Sequence, residues 1–266
     1  MKYKIFNEDC IKTMDRLSEK GLKVDVILTS PPYNISRVVN TENALTDHHN
    51  KYKYYKDNKN DEDYLNWVEE IFNNYDKVLV ENGVVLFNMN YATDVSHKNR
   101  KPSELMYRVV NRIIEKTNFT IGDTIIWKKS NAMPNSSSKN KLTRIVEFIF
   151  VFCRDSEFTT YNSNKQVVSI NKRTNQEYYE NVLNFVTAKN NNGSNKLNKA
   201  TYSTELCEQL LNIYARPNSV IYDSFNGTGT TGVVSLKLGH KYIGSEIDKE
   251  QVEYSIERIE RECTNT

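Results

Sequence analysis

The chain has 266 residues, of which 38% are hydrophobic and 26% charged, and a formal net charge of +2; this is enough for one large domain, or a domain plus a smaller one, with no bulk charge that selects a partner. No apolar run approaches the roughly 20 residues of a membrane span, and the opening "MKYKIFNEDC" lacks the apolar core and small-residue cleavage site of a secretion signal. Cys10, Cys153, Cys207 and Cys263 are scattered without a C-x-x-C, which argues for free thiols in a reducing cytoplasm and against a disulfide frame or a zinc site.

The predicted elements alternate. "YKIF" (3–6) reads as a strand, 10–21 as a helix closed by Gly21, and "VDVIL" (24–28) as a strand buried on both faces. Residues 35–60 are polar and tyrosine-rich without a period, the pattern of a long functional loop; His48 and His49 there have no partner at metal spacing. A helix over 63–79 places Leu65, Val68, Ile71, Phe72, Tyr75 and Leu79 on one face. A strand (83–89), a helix (about 103–116) and a strand (121–127) follow.

The middle changes character. Residues 128–144 combine turn chemistry with Lys128, Lys129, Lys139, Lys141 and Arg144, and contain no acid. Such a stretch suits a phosphate backbone or a solvated face. After a strand at 145–152, residues 155–200 are rich in Asn, Ser, Thr and Lys, an elaborated region without a separate core. The α/β pattern then resumes: helix 204–215, strand 219–225, helix 229–239, strand 241–247 and helix 248–262. This order predicts a doubly wound, mostly parallel, Rossmann-like sheet with helices on both faces. Residues 1–127 and 201–266 form one domain, and 128–200 an insert.

Two stretches carry chemistry. "DSFNGTGTTG" (223–232) follows a strand and opens a helix, with Gly227 and Gly229 allowing a tight turn and close approach to a ligand. The next strand ends at Glu246, where an acid accepts from a ribose diol. No P-loop lysine or full G-x-G-x-x-G marks a diphosphate, so a nucleoside ligand without phosphates fits best. The other stretch is "TSPPYN" (29–34), a rigid polar turn directly after a buried strand. A strand-ending turn explains its prolines but not Ser30 and Tyr33.

Together, "LTSPPY" and "DSFNGTGTT" resemble the amino-methyltransferases of DNA, which use S-adenosylmethionine. The catalytic turn comes first and the cofactor loop last, similar to the permuted beta arrangement. "NEDC", "WKKSNAMPNSSSKNKLTRIVEFIFVF" and "TYSTELCEQLLNIY" extend the resemblance along most of the chain. Asn198-Lys199 departs from the family's usual His-Pro. The resemblance implies a seven-stranded-type methyltransferase sheet, catalytic roles for Ser30, Pro31, Pro32 and Tyr33, and cofactor contacts from Asp9, Asp223, Phe225, Asn226, Gly227, Thr228, Gly229, Thr230 and Glu246. It makes 128–200 a target-recognition region, its basic residues and Trp127 being candidates for DNA contact; a buried Trp127 at a strand end is an equal reading.

An exocyclic amine delocalises its lone pair into the ring, so a site must hold both N–H groups and aim that lone pair at the methyl. Ser30 Oγ and a carbonyl beside Pro31 are candidate acceptors, Tyr33 a stacking platform, and the base must first leave the duplex. Serine at position 30 resembles the cytosine-N4 branch, with adenine-N6 as the alternative. The implied partners are double-stranded DNA and a cognate restriction endonuclease. A methyltransferase for RNA or a protein amide is disfavoured by the motif order. An inactive nucleic-acid-binding protein on the same fold is disfavoured by the intact Ser30, Tyr33, Gly227 and Gly229.

Overall fold

The computed structural model describes residues 2–34, 59–90, 104–132, 142–143, 145–191 and 201–263. In chain order its elements are β1 (Tyr3–Phe6), α1 (Cys10–Glu19), β2 (Val24–Thr29), α2 (Asp61–Val78), β3 (Leu79–Met89), α3 (Leu105–Lys116), β4 (Phe119–Lys129) and β5 (Val146–Arg154). They continue with β6 (Val167–Ile170), β7 (Glu177–Tyr179), β8 (Phe185–Ala188), α4 (Thr204–Tyr214), β9 (Val220–Asp223), α5 (Thr230–Lys237), β10 (Lys241–Ser245) and α6 (Lys249–Cys263). The main sheet runs β1-β10-β9-β2-β3-β5-β4-β8, and β6 and β7 form a separate two-stranded hairpin. Within the main sheet β5 alone pairs antiparallel with its neighbours.

The apolar strand runs are buried on both sides, as a sheet covered by helices requires. Ile27, Val85, Phe87 and Phe152 pack with α1, α2 and α3 on one face. Val26, Leu28, Leu86 and Val151 pack with α4, α5 and α6 on the other. The period-two alternation of β2 and β3 thus splits the core into two layers.

The helix starts are local. Asp9 caps α1, its carboxylate accepting from Ile11 N at 2.9 Å, and Asn60 caps α2 by accepting from Asp63 N at 2.9 Å. The acids Asp61, Glu62 and Asp63 occupy the first turn of α2, where they complement the helix dipole. Arg108 of α3 pairs with Asp61 and Glu62, and Arg112 with Glu62 and Glu69, which fastens the two helices along their exposed edge.

Two differences from the sequence expectation bear on the main sheet. Strand β3 begins at Leu79 rather than 83, because a register shift against β2 accommodates Asn82 at φ +58°. Strand β8, which the composition of 155–200 did not reveal, pairs parallel with β4 and makes the main sheet eight-stranded rather than seven-stranded. Segment 128–200 therefore supplies β5 and β8 to the same sheet as the rest of the chain. Residues 35–58, expected as a long loop and including His48 and His49, and the pair Asn198-Lys199 lie outside the described residues.

Candidate active site

Strands β2 and β9 are parallel neighbours, with Val26 opposite Ile221 and Ile27 opposite Tyr222. Their C-terminal ends therefore deliver "TSPPYN" and "DSFNGTG" to one edge of the sheet. From here β2 leads to β3 on one side and β9 to β10 on the other, the switch point at which open α/β sheets bind ligands.

Asp223, 2% exposed, ties the two ends together. Its Oδ1 accepts from Thr29 Oγ1 at 2.8 Å and from Phe225 N at 3.0 Å; its Oδ2 accepts from Thr231 Oγ1 at 2.6 Å and Tyr202 Oη at 3.3 Å. Burial pushes this carboxyl above the ordinary carboxylate value, against the pull of those donors. Ser224 Oγ donates to Thr29 Oγ1 at 3.2 Å and lies 2.6 Å from Tyr75 Oη.

The glycine turn is held from three directions. Gly227 has φ +50° and its N–H donates to Glu246 Oε2 at 2.8 Å. The other Glu246 oxygen accepts from Asp248 N at 2.9 Å, and burial raises the Glu246 carboxyl above its usual range. Gly229 opens α5 at φ +77°, and a Cβ there would sit 2.8 Å from Ser255 Cβ. From α6, Arg258 Nη1 donates to the Thr228 carbonyl at 3.2 Å and to Thr230 Oγ1 at 3.0 Å. Asn226 faces inward: its Oδ1 accepts from Tyr242 Oη at 2.7 Å, and its Nδ2 donates to Ser255 Oγ at 3.1 Å.

Between the two motifs lies a cleft open to solvent. Asp9, Ser30, Pro32, Asp223, Phe225, Asn226, Gly227, Thr228, Thr230 and Glu246 are on its wall. Pro31, Tyr33 and Gly229 are not among its lining residues. Trp67, Tyr202, Asp248 and Gln251 also line it and were not anticipated. Trp67 lies three residues after the buried Tyr64, and its spacing reads as the core face of a helix. Its ring stands 5.6 Å from that of Phe225 and 5.6 Å from that of Tyr64, and Tyr64 Oη donates to the Pro32 carbonyl at 2.7 Å. The cofactor loop and the Pro-Pro turn are thus coupled through the rings of one helix.

The turn itself is fixed at both ends. Asn34, at φ +55°, bridges to Lys59 by accepting from its N–H at 2.8 Å and donating to its carbonyl at 2.9 Å. Ser30 Oγ and Tyr33 Oη are 2.7 Å apart. Tyr33 Oη accepts from Asn88 Nδ2 at 2.9 Å and reaches Glu147 Oε2 at 3.4 Å. Glu147, 6% exposed, also pairs with Lys129 Nζ and accepts from Asn88 Nδ2 at 3.1 Å and Asn90 Nδ2 at 3.3 Å.

Residues 24–257 match the N6_N4_Mtase family model, described as a DNA methylase. That span covers both motifs and the sheet between them. The chain belongs to this family. Among relatives of this DNA methylase, the type II methyltransferase M.Cfr9I of Citrobacter freundii is 25% identical over 98% of this chain and 89% of its own. The type II methyltransferase M.BglII of Bacillus subtilis is 23% identical over 97% of this chain and 69% of its own. Its fold is similar to that of the cytosine-N4-specific PvuII DNA methyltransferase, with a TM-score of 0.70 at 16% identity over 97% of this chain and 86% of the other. A crystal structure of an M1.HpyAVI–SAM complex superposes with a TM-score of 0.60 at 21% identity, covering 97% of this chain and 99% of the other. DNA methylases of this family take the methyl group from S-adenosylmethionine.

The basic candidates of the methylase separate. Lys128 is exposed at the end of β4. Lys129, expected against phosphate, instead pairs with Glu147 and lies over the Trp127 ring at 5.1 Å. Trp127 is buried, and its Nε1 donates to the Ala188 carbonyl at 3.2 Å, fixing β8 to the sheet. Lys139, Lys141 and Arg144 lie outside the described residues.

Proposed function

We propose that this DNA methylase transfers the methyl group to the N4 amine of a cytosine flipped out of double-stranded DNA. The observation that supports this most is the placement of Ser30. Ser30 lines the cleft, on the strand end next to the glycine turn.

The cleft has the donor set for a nucleoside. Each Glu246 oxygen accepts one backbone N–H, which leaves a lone pair on each for a ribose diol. Thr228 Oγ1 is buried on the same wall and has no hydrogen-bond partner among the described residues. Gly227 keeps the backbone close, and Phe225 with Trp67 offers aromatic surface. S-adenosylmethionine, bound here, supplies an electrophilic methyl on a sulfonium. Asp223 positions the turn, because both its oxygens are already engaged by protein donors.

For the amine, we assign one N–H to Ser30 Oγ and the other to the Pro31 carbonyl, since Tyr64 occupies the carbonyl of Pro32. Tyr33 stacks on the base. Proline fixes its own φ, so the turn presents these groups with little entropy to lose. A neutral hydroxyl at position 30, and the likeness to a fold named cytosine-N4-specific, favour cytosine over adenine. The type II relatives support a place in a restriction-modification system, with a cognate endonuclease as partner. The exposed Lys128 supports contact between segment 128–200 and the DNA backbone.

The test is methyl transfer from labelled S-adenosylmethionine to duplex DNA by the purified protein and by Ser30→Ala. Label in DNA that falls at least tenfold with Ser30→Ala, at unchanged S-adenosylmethionine affinity, supports the assignment; a Ser30→Ala variant with full turnover contradicts it.

A further inference from the structure

The direction of the hydrogen bond between Ser30 and Tyr33 decides how many lone pairs Ser30 keeps for an amine, and where its own proton points. Tyr33 has one hydroxyl proton and, among the described residues, three polar neighbours. Asn88 Nδ2, at 2.9 Å, can only donate. Glu147, paired with Lys129, is a carboxylate and can only accept, at 3.4 Å. Ser30 Oγ, at 2.7 Å, can do either.

If Tyr33 gives its proton to Glu147, the Ser30 hydroxyl must donate to Tyr33. Both Ser30 lone pairs are then left for the N–H of a substrate. If Glu147 did not take the proton, Tyr33 would donate to Ser30 across the shorter distance. Ser30 would then keep one lone pair instead of two, and its own proton would turn outward to compete with the amine N–H for the same approach.

We propose that Glu147 is a positioning residue that orients the Tyr33 and Ser30 hydroxyls, so that Ser30 Oγ is held as an acceptor for the target amine. This rests on the assignment of Ser30 to the amine. Glu147 suits the role because everything around it donates: Lys129 Nζ and Asn90 Nδ2 on Oε1, Asn88 Nδ2 on Oε2. Lys129 balances its charge in a site where an unpaired carboxylate would be costly. The cluster is also not closed on itself. Asn88 Oδ1 and Asn90 Oδ1 are buried with no hydrogen-bond partner among the described residues. Acceptors of this kind beside the Pro-Pro turn could take N–H donors, and the amino edge of a base carries them. The 3.4 Å separation is of the kind that shortens when substrate completes a site.

The experiment compares Glu147→Gln, Tyr33→Phe, their double variant and Ser30→Ala, each measured for kcat on duplex DNA, S-adenosylmethionine affinity and thermal unfolding. Glutamine keeps the shape but can offer Tyr33 an N–H, which reverses the chain. The expected result is a kcat lower by roughly 10- to 100-fold in Glu147→Gln, with S-adenosylmethionine affinity within about twofold of wild type. The double variant should be no worse than the more impaired single variant, because both changes break the same chain. Should Glu147→Gln alone fail to fold, Glu147→Gln with Lys129→Met removes both buried charges, and the same loss of kcat is expected. Full kcat in Glu147→Gln beside an impaired Ser30→Ala overturns this inference and leaves the assignment of Ser30 intact. Losses that multiply in the double variant also overturn it. Full kcat in Ser30→Ala overturns the assignment on which it rests.

Discussion

Asp223, buried, and Glu246, half-buried, are acids at the ends of neighbouring strands, yet their chemistry differs. Asp223 spends its oxygens on Thr29, Phe225, Thr231 and Tyr202 and so holds the motifs in register. Glu246 meets only backbone N–H groups and keeps capacity for a ligand. Tyr33 and Gly229 give the sharpest single-residue tests. If Tyr33 stacks on the base as proposed, Tyr33→Ala removes an interaction worth about 1–3 kcal/mol, and turnover should fall by about 5- to 150-fold while S-adenosylmethionine affinity stays within about twofold; calorimetric titration beside kinetics checks this, and equal loss of both would contradict the stacking role. Gly229→Ala puts a Cβ 2.8 Å from Ser255 Cβ at a backbone angle of φ +77°. It should weaken S-adenosylmethionine binding at least tenfold and lower the melting temperature, because α5 and α6 must separate for the turn to survive.

Elements are joined by a few residues that satisfy several groups at once. Arg154, at the end of β5, donates to Asp76 Oδ1 at 2.5 Å, to the carbonyls of Asp76, Val80 and Leu79 at 2.9–3.0 Å, and to Glu157. It thereby stitches the antiparallel strand to the junction of α2 and β3. Arg154→Ala strands those groups and should destabilise the fold by about 2–4 kcal/mol in denaturant titration. Burial pushes the Asp76 carboxyl up, but hydrogen bonds from Arg154 and Asn118 outweigh it and hold the value below the ordinary one. A folded-state value below the unfolded one means that Asp76 adds stability at pH well above 4. That contribution is lost as pH falls through the carboxylate range. Melting temperature against pH should therefore drop less steeply below about pH 4 in Asp76→Asn than in wild type; parallel curves would show that Asp76 does not carry this linkage.

At the scale of the whole molecule, the layers and both motifs were legible in the sequence because each rests on a local signal. Doubly covered parallel strands read as short apolar runs, and the glycine and proline turns carry their geometry in their own residues. What escaped depends on pairing across the sheet. β8 is four residues whose exposure alternates, and only its bonding to β4 makes it a strand of the main sheet. Glu147 reads as a lone acid at the edge of "IVEFIFVF", Asn88 as the tail of "GVVLFNM", and Lys129 as one of a basic pair; they meet because β5 lies between β3 and β4. Trp67 reaches the cleft, and Arg258 the back of the glycine turn, from helices whose spacing announces only a core face. On the proposed function, this edge of the sheet presents cytosine N4 to the methyl donor. The most direct measurement is nucleoside mass spectrometry of unmethylated duplex DNA treated with the purified protein and S-adenosylmethionine. N4-methylcytosine as the product is the expected result; N6-methyladenine as the sole product would contradict it.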